Sequence, residues 1–531
     1  MSALVLSCLA LFACGDETGS RAGQEPWPLT VQTDGVLGYL AVQLPNTTHS
    51  AFDEALGVKL DGLALDRHLL ALHLDARVFG GVLGLALPLS DAGAFRRSFE
   101  RSPAITSLGG DQFRLQLPAE HPLAQLVLVA KVSLGAATGG AQVSSLQQLG
   151  SLFNGAGLDL PLRLKTENGR ALLAPSLEGV VVTRRVLDEL DGMQSGAGPA
   201  LVATLNVERL ADTYYAELQQ VLANLRSALL GAKLAGLGGM LSGALNEAAR
   251  GGRSPLGELP VPPAAVWAFL ELLGPQRVEA LGLRCESLDV DVGDGADTDT
   301  ELADVSAARA SVLDALDAVD MEFTMRYAAN APERQVLQAF RPAPSLPGDS
   351  FVAFADPTLA ADALANWLRP LAVLAHGDGT TASAWQQEFV SLCAPWDGRV
   401  IARRLPDGEL ALFLGTYASA EWDLPATEAW LRPLADALEL ELPERAAWDA
   451  AGQGTRAGNF TVISNAVAQV DALALELDAA DWSGEDASQP CVRASFDFAL
   501  TDDASSRVQL WLSHDTDTGD VRLRFAPTAV R

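Results

Sequence analysis

The chain has 531 residues, a length at which proteins usually form two or three domains. Apolar residues make up 49% of the chain, which is enough for large cores and excludes an intrinsically disordered protein. The formal net charge is −30, which argues against nucleic-acid backbones and anionic lipid surfaces as partners, because both require a basic face.

The first residues form an apolar run that ends in a small residue and a cysteine. Leu11 stands three positions before Cys14 and Ala13 one position before it. This arrangement resembles the lipobox of bacterial lipoproteins. The resemblance implies that residues 1–13 are a signal peptide and that Cys14 is the lipid attachment site. The alternative is an ordinary apolar N-terminus, and Cys8 is a poorer candidate because its apolar run is half as long.

Residues 14–30 are polar and rich in Gly and Pro, which predicts a flexible tether. Gly15 follows the cysteine, where enterobacterial lipoproteins of the inner membrane carry Asp. The resemblance therefore implies an exported protein that is anchored in the cell envelope, in the outer membrane, and whose membrane contact is the lipid on Cys14. The body of the chain is similar in style to uncharacterised bacterial envelope lipoproteins.

Residues 31–285 are predicted to form an α+β domain, because short apolar or alternating runs between Gly, Pro and Asp indicate strands. Ser90 is predicted to cap a helix that carries Phe95 and Phe99 on one face. The predicted strands are 36–42, 69–74, 81–87, 113–117, 126–132, 180–183 and 200–205.

A long helix is predicted from Leu210 to Leu229, where apolar residues recur at helical spacing. The following segment, 228–245, is rich in small residues and contains a G-x-x-x-G pattern at Gly239 and Gly243. Small residues let helices approach closely, so we interpret this segment as a packing helix. A lid over an apolar cavity is the alternative.

Residues 286–305 are predicted to be an exposed acidic linker between the first domain and a second α+β domain, residues 306–531. The spacing of the acidic residues does not match a calcium loop, because Gly293 occupies a ligand position. The net charge is −5 over residues 1–285 and −25 over residues 286–531, which supports two domains with different surfaces.

In the second domain, the predicted strands are 351–354, 410–414, 460–464, 508–512 and 521–525. The hexapeptide W-L-R-P-L-A occurs at 367–372 and again at 430–435, where its proline is expected to kink or restart a helix. The runs 180–190 and 460–473 share a strand-then-helix pattern. We therefore predict two domains of mixed sheet with packed helices, and interpret them as distant copies of one another.

Three cysteines follow Cys14, and they include no C-x-x-C pattern. Cys393 and Cys491 could form a disulfide in an oxidising envelope and leave Cys285 free. Three buried, unpaired thiols are the equal alternative.

The chain lacks the motifs of common hydrolases, metalloenzymes and nucleotide-binding proteins, so no catalytic residue, metal site or cofactor is predicted. The best enzymatic alternative is Gly348-Asp349-Ser350, which resembles an esterase nucleophile block, with His376 or His514 as base.

Eight of the ten tryptophans lie after residue 286 among many carboxylates. They could form a sugar-binding surface or a glycan-cleaving site, but core tryptophans explain the same pattern. We therefore predict a non-catalytic binding or scaffolding protein whose partner is a protein or an apolar ligand. Its alternatives are a carrier of an apolar ligand and an ester or glycan hydrolase.

Overall fold

The structure is a computed structural model. Contacts between residues divide the chain into two compact units: Met1–Ser227 with Glu279–Phe323 (unit 1), and Ala228–Val278 with Thr324–Arg531 (unit 2). The described residues are 27–43, 61–64, 67–81, 83–118, 157–190, 199–213, 277–285, 321–344, 346, 350–376, 379–404, 410–417, 423–438, 455–457, 460–463, 477, 479–480, 482, 490–501, 504–515 and 518–529.

Unit 1 is built on an antiparallel sheet with helices on both faces. Its strands are β1 (Val36–Val42), β2 (Leu69–Leu74), β3 (Leu83–Pro88), β4 (Ile105–Gly109), β5 (Gln112–Pro118), β6 (Gly157–Glu167), β7 (Arg170–Ala174), β8 (Leu201–Asn206) and β9 (Val278–Cys285). They pair in the order β9-β8-β1-β2-β3-β7-β6-β5-β4. The helices are α1 (Ala76–Phe79), α2 (Ala92–Arg101), α3 (Leu177–Leu190) and α4 (Val207–Thr213).

The two faces of this sheet are covered by different helices. α2 inserts Phe95 and Phe99 into the core on one face, and α3 buries Val180 and Val186 on the other. With both faces covered, β1 is buried at all seven of its residues rather than at alternate ones. Fully burying one such apolar side chain contributes about 1.5–3 kcal/mol, so both helices are needed to stabilise the sheet.

Unit 2 is built on a second antiparallel set of strands. These are β10 (Met321–Tyr327), β11 (Phe340–Arg341), β12 (Ser350–Ala355), β13 (Trp396–Arg404), β14 (Leu410–Thr416), β15 (Thr455–Ala457), β16 (Phe460–Ile463), β17 (Val492–Thr501), β18 (Ala504–His514) and β19 (Asp520–Ala529). They pair in the order β15-β16-β14-β13-β12-β17-β18-β19, with β11 beside the end of β12 and β10 beside β19.

The helices of unit 2 are α5 (Pro332–Ala339), α6 (Pro357–Trp367), α7 (Arg369–His376), α8 (Gly379–Leu392) and α9 (Leu424–Leu438). α7, α8 and α9 share an apolar cluster that includes Trp385 and Trp430. In the sheet, a bulge in β13 carries an ion pair between Asp397 and Arg399, and the Arg399 guanidinium lies 4.2 Å from the ring centre of Phe460.

The α+β class is present, but every strand pair with a described register is antiparallel, so the predicted mixed sheet is wrong in this respect. Parallel neighbours require crossovers of a dozen or more residues, whereas many of these strands are joined by short turns. The turn between β6 and β7 shows the reason. Asn168 and Gly169 both adopt positive φ angles of 51° and 69°, as a two-residue hairpin requires.

Most predicted strands lie where the structure places strands. The predicted runs 36–42, 69–74, 81–87, 113–117, 200–205, 351–354, 410–414, 460–464, 508–512 and 521–525 fall on β1, β2, β3, β5, β8, β12, β14, β16, β18 and β19. A hairpin joins β18 to β19, and Asp515 N–H donates to the Asp520 carbonyl at 2.8 Å.

The predicted strand 180–183 is wrong, because these residues lie inside α3. Gly179, Thr183, Val186 and Leu190 are buried at steps of four, three and four, which is the burial pattern of a helix, and Val181 is 45% exposed. A short β-branched run cannot distinguish the two structures, and here packing on the sheet decides in favour of the helix. The proposed likeness of 180–190 to 460–473 therefore loses its basis, since Phe460–Ile463 is a strand.

The predicted cap of α2 is displaced by one residue. The side chain of Asp91, not Ser90, accepts hydrogen bonds from Gly93 N–H and Ala94 N–H at 2.8 and 2.9 Å. The hydrogen bond from Ala94 N–H has the largest effect on the Asp91 carboxyl and lowers its pKa, and the bond from Gly93 N–H lowers it further. The Ser90 hydroxyl instead donates to the Leu63 carbonyl at 3.0 Å.

The two copies of the hexapeptide adopt different structures. In the first copy the chain breaks at Leu368, and α7 restarts at Arg369, directly before Pro370. In the second copy Pro433 lies inside the single helix α9. The same six residues therefore lie at a helix break in one copy and inside a continuous helix in the other. Local sequence alone does not determine the secondary structure of this hexapeptide.

Several predictions concern residues outside the described ranges. They are the lipobox with Cys14, the strand 126–132, the helical run from residue 214 onward, Gly239 and Gly243, and the acidic linker 286–305.

Two glycines with nearly equal positive φ angles test the packing of the bulge in β13. Gly398 has φ +100°, and a Cβ there would overlap the carbonyl oxygen of Ala355, whereas Gly109 has φ +99° and open space. Both alanine variants should lose roughly 1–2 kcal/mol from the unfavourable φ. Gly398→Ala should lose a further 1–3 kcal/mol or so, because the backbone of the neighbouring strand must move.

The measurement is urea unfolding of both variants and the wild type. Equal losses of unfolding free energy in the two variants would contradict the close approach at Gly398.

Candidate functional site

Ser350, the candidate nucleophile, begins β12 and is only 6% exposed. The register excludes His514 as its base. Ala353 in β12 pairs with Val492 in β17, and Val492 pairs with Leu512 in β18. His514 therefore lies level with the end of β12 that is opposite to Ser350. The offset is five residues, or about 16 Å along the strands, which is far beyond hydrogen-bond distance.

His376, the other candidate base, ends α7 beside the aromatic cluster of unit 2. Its ring centre lies 6.0 Å from that of Trp385. Its Nε2 atom is buried and has no hydrogen-bond partner among the described residues. His376 therefore does not contact the Ser350 hydroxyl through Nε2.

Three candidate sugar-binding tryptophans are core residues. Trp385 and Trp430 stack with ring centres 4.0 Å apart, and each indole N–H donates to the other residue's carbonyl, at 3.0 and 2.9 Å. The indole of Trp396 is also buried and donates to the Arg399 carbonyl at 3.0 Å. Because these faces and donors are already used inside the protein, these three rings are not available to a sugar.

The three described cysteines, Cys285, Cys393 and Cys491, are free and buried. The alternative of a Cys393–Cys491 disulfide is therefore wrong, and that of three buried thiols is confirmed. Burial raises the pKa of the Cys393 thiol to about 12, and burial likewise raises the pKa of Cys491 to about 12. The thiolate is the reactive form, so both groups are poor nucleophiles.

The end of the predicted tether packs on unit 1 and forms a segment that we call the N-terminal strap, residues 27–35. Trp27 places its ring 6.1 Å from Tyr39 and 5.2 Å from His68, centre to centre. The Tyr39 hydroxyl donates to the Pro28 carbonyl at 2.5 Å. Burial lowers the pKa of His68, which favours the neutral ring in this contact.

Two charged side chains hold the rest of the strap. The Arg209 guanidinium on α4 donates to the carbonyls of Thr33 at 2.8 Å and Val31 at 3.2 Å. Glu189 on α3 accepts from Gln32 N–H at 2.8 Å and from the Thr33 hydroxyl. Residues 27–30, the last four of the predicted tether, therefore belong to a segment that is packed on unit 1.

A cleft of 320 Å³ beside the second half of α2 is the candidate binding site of unit 1. Arg97 and Arg101 are four residues apart and therefore lie on the same helix face. The cleft is lined by Asp61, Ala94, Arg97, Ser98, Arg101, Ser102 and Pro103.

Backbone contacts fix the acidic side of this α2 cleft. The carbonyl of Gly62 accepts from Ser90 N–H at 2.9 Å and from Asp91 N–H at 3.1 Å. The Ser98 hydroxyl accepts from Asp61 N–H at 3.0 Å. Asp61 is thereby held against the helix that carries the two arginines, although it lies about 36 positions earlier in the sequence.

The charged groups of the cleft differ from the others on α2. Arg96 binds the Glu100 carboxylate at 2.9 Å and the Asp111 carboxylate at 3.4 Å. Within the described part of the chain, neither Arg97 nor Arg101 forms an ion pair or hydrogen bond. Two arginines and a carboxylate thus line one small cleft without neutralising each other by contact, an arrangement that can bind a ligand carrying charge.

The sequence carries one signal for this cleft. Arg96, Arg97 and Arg101 concentrate positive charge on one helix of a strongly acidic chain. The contribution of Asp61 carries no such signal, because it depends on the packing of a separate segment. The strap contacts of Arg209 and Glu189, more than 150 residues away, are equally invisible in the sequence.

No protein-family model matches the chain, and comparisons with curated proteins and with solved structures find no match either. No group of three or more metal-ligating side chains occurs among the residues that the structure describes. Within the same residues, no helix has both the length and the apolar character to cross a membrane.

The buried thiols lead to a prediction about alkylation. At pH 8, a thiol with a pKa of about 12 is ionised in only about one molecule in ten thousand, so iodoacetamide should modify Cys393 and Cys491 very slowly in the native protein. In urea, without any reductant, both should react rapidly. Peptide mass spectrometry after timed alkylation measures each site. A pair that reacts in urea only after reduction would contradict the free thiols.

Proposed function

We propose that the protein is a bacterial envelope lipoprotein, anchored in the outer membrane through a lipid on Cys14, with a non-catalytic binding or scaffolding role. The lipobox-like residues from Leu11 to Cys14 support the anchor. The proposal extends to a protein or a small ligand as the partner, and excludes nucleic acid because of the net charge of −30.

The single observation that carries the proposal is the N-terminal strap. The chain is fixed to unit 1 from Trp27 onward by Tyr39, Glu189 and Arg209. A lipid on Cys14 would then be separated from the fold by residues 14–26, thirteen residues that reach at most roughly 45 Å when fully extended. This arrangement suits a protein that is held close to a membrane and displayed from it.

The binding role, rather than catalysis, is supported by how the candidate catalytic groups are used. Ser350 is buried and offset from His514, and Trp385 and Trp430 satisfy each other's donors. The α2 cleft, by contrast, presents charged groups that make no contacts with each other. We therefore favour a binding site over the hydrolase alternative.

We also propose that the two units are distant copies of one α+β domain. The support is that each unit consists of an antiparallel sheet with its own helices.

Metabolic labelling with radioactive palmitate tests the anchor, and the two cysteines of the N-terminal run provide a matched pair. We expect label on the wild type and on Cys8→Ala, and none on Cys14→Ala, because the lipid attaches only to the lipobox cysteine. Cys14→Ala should also move from the membrane fraction to the soluble fraction. Equal label on the wild type and on Cys14→Ala would disprove the proposal.

A further inference from the structure

We propose that the α2 cleft binds a zwitterionic phosphate ester, with the phosphate on Arg97 and Arg101 and an ammonium group on Asp61. The inference rests on the proposed binding role and specifies the ligand. The ligand could be a phospholipid head group or a soluble phosphate ester, since both carry a negative phosphate and a positive ammonium group.

The size of the cleft limits the ligand. Sites for drug-sized molecules usually span about 300–1,000 Å³, so 320 Å³ admits only a small group. A phosphate with a short substituent fits this volume. A protein surface or an extended glycan chain does not fit inside it, although either could cover its mouth.

The arginines provide the phosphate half of the site. Arg97 and Arg101 are both exposed, and each guanidinium can donate two parallel hydrogen bonds to a phosphate. Gly93, one turn before Arg97, leaves room for that side chain, since a Cβ there would lie 3.3 Å from Nη1 of Arg97. Neither arginine forms an ion pair or a hydrogen bond among the described residues, although the Asp91 carboxylate lies close enough to Arg97 for their charges to interact.

Ser98 and Ser102 stiffen this half of the site. The Ser98 hydroxyl donates to the Phe95 carbonyl at 2.9 Å while accepting from Asp61 N–H. The Ser102 hydroxyl accepts from Ala104 N–H at 3.3 Å. Their oxygens are therefore held by the backbone, and the charged side chains around them bind the ligand.

Asp61 is the reason for assigning a zwitterion rather than a simple anion. A carboxylate beside an anion site would repel phosphate alone and weaken its binding. A ligand that places a positive group next to its phosphate turns this repulsion into a second attraction. The fixed position of Asp61, held through its own N–H and the neighbouring Gly62 carbonyl, makes that discrimination possible.

Isothermal titration calorimetry of the purified full-length chain tests the site with O-phosphoethanolamine as the probe. We expect saturable binding at one site with a Kd of about 1 mM or tighter at low salt. Inorganic phosphate should bind about tenfold more weakly, because it makes no contact with Asp61. Absence of saturable binding to O-phosphoethanolamine would overturn the proposal.

Variants on one helix supply the control. Arg97→Gln and Arg101→Gln should each weaken binding at least about tenfold, the loss of one charge-assisted contact. Arg96→Gln removes the same charge from the same helix but leaves the cleft intact, so its Kd should stay within about twofold. If all three variants changed the Kd equally, binding would depend on non-specific charge attraction, and the proposal would be overturned.

Asp61→Asn tests the ammonium half separately. It should bring the Kd for O-phosphoethanolamine close to that for inorganic phosphate, while an unchanged preference would overturn the assignment of a zwitterion. All four side chains are at the surface, so folding should be unaffected, and thermal unfolding of each variant checks this.

The source of the ligand and the proposed function have separate readouts. Sedimentation of the Cys14→Ala chain with phosphatidylethanolamine vesicles, but not with phosphatidylglycerol vesicles, would assign the lipid head group. Binding of O-phosphoethanolamine without vesicle binding would assign a soluble ester. Mass spectrometry of the recovered probe tests catalysis. Cleavage of the probe would disprove the non-catalytic role but not the binding site. Absence of binding would disprove the binding site but not the lipid anchor.

Discussion

The burial of Phe95 and Phe99 against the sheet of unit 1 is the interaction on which the candidate site depends. The two rings lie 5.6 Å apart, and Phe99 meets Phe113 edge-to-face at 5.2 Å, so α2 is fixed both to the sheet and in its rotation about its own axis. A helix whose apolar side is fixed in this way has a fixed outer side as well. Arg97 and Arg101 therefore face the cleft because Phe95 and Phe99 face the core.

The strap imposes a second constraint of the same kind at the start of the chain. The Arg209 guanidinium donates to several carbonyls of a segment that pairs with none of the described strands. Buried carbonyls need donors, and a planar group with five N–H bonds can serve several of them at once. The first element of unit 1 is thereby attached to one of its last helices, so the point from which an anchor would extend is part of the folded domain.

Features that depend on residues close together in the sequence could be predicted, whereas features that depend on packing between distant segments could not. β1 and β2 could be read from the sequence, because their apolar runs are bounded by Gly and Asp and their burial on both faces leaves little room for polar residues. Val180 to Thr183 could not, because whether a valine-rich run becomes a strand or a helix depends on which element it packs against. The antiparallel pairing of every described register likewise depends on strand order, which no local pattern records.

Asp61 shows why the candidate site lay beyond sequence reasoning. Helical periodicity is enough to predict the helix and its arginines. The acidic half of the cleft, by contrast, is positioned by the bridge between Leu63 and Leu89 and by the hydrogen bonds to the Gly62 carbonyl. Gly62 has φ +81°, and a Cβ there would overlap the Asp91 carbonyl, so the segment can approach α2 only with glycine at this position.

The acidity of the whole chain sharpens the selectivity of such a cleft. At physiological ionic strength, charges act over about 8 Å, so the distant carboxylates of an acidic protein scarcely weaken two arginines at contact distance, and the nearby Asp61 decides which phosphate is preferred. An extended polyanion carries no positive group of its own and is repelled by Asp61. A single small phosphate that carries its own positive charge avoids that repulsion, so the overall charge and the local site favour the same class of ligand.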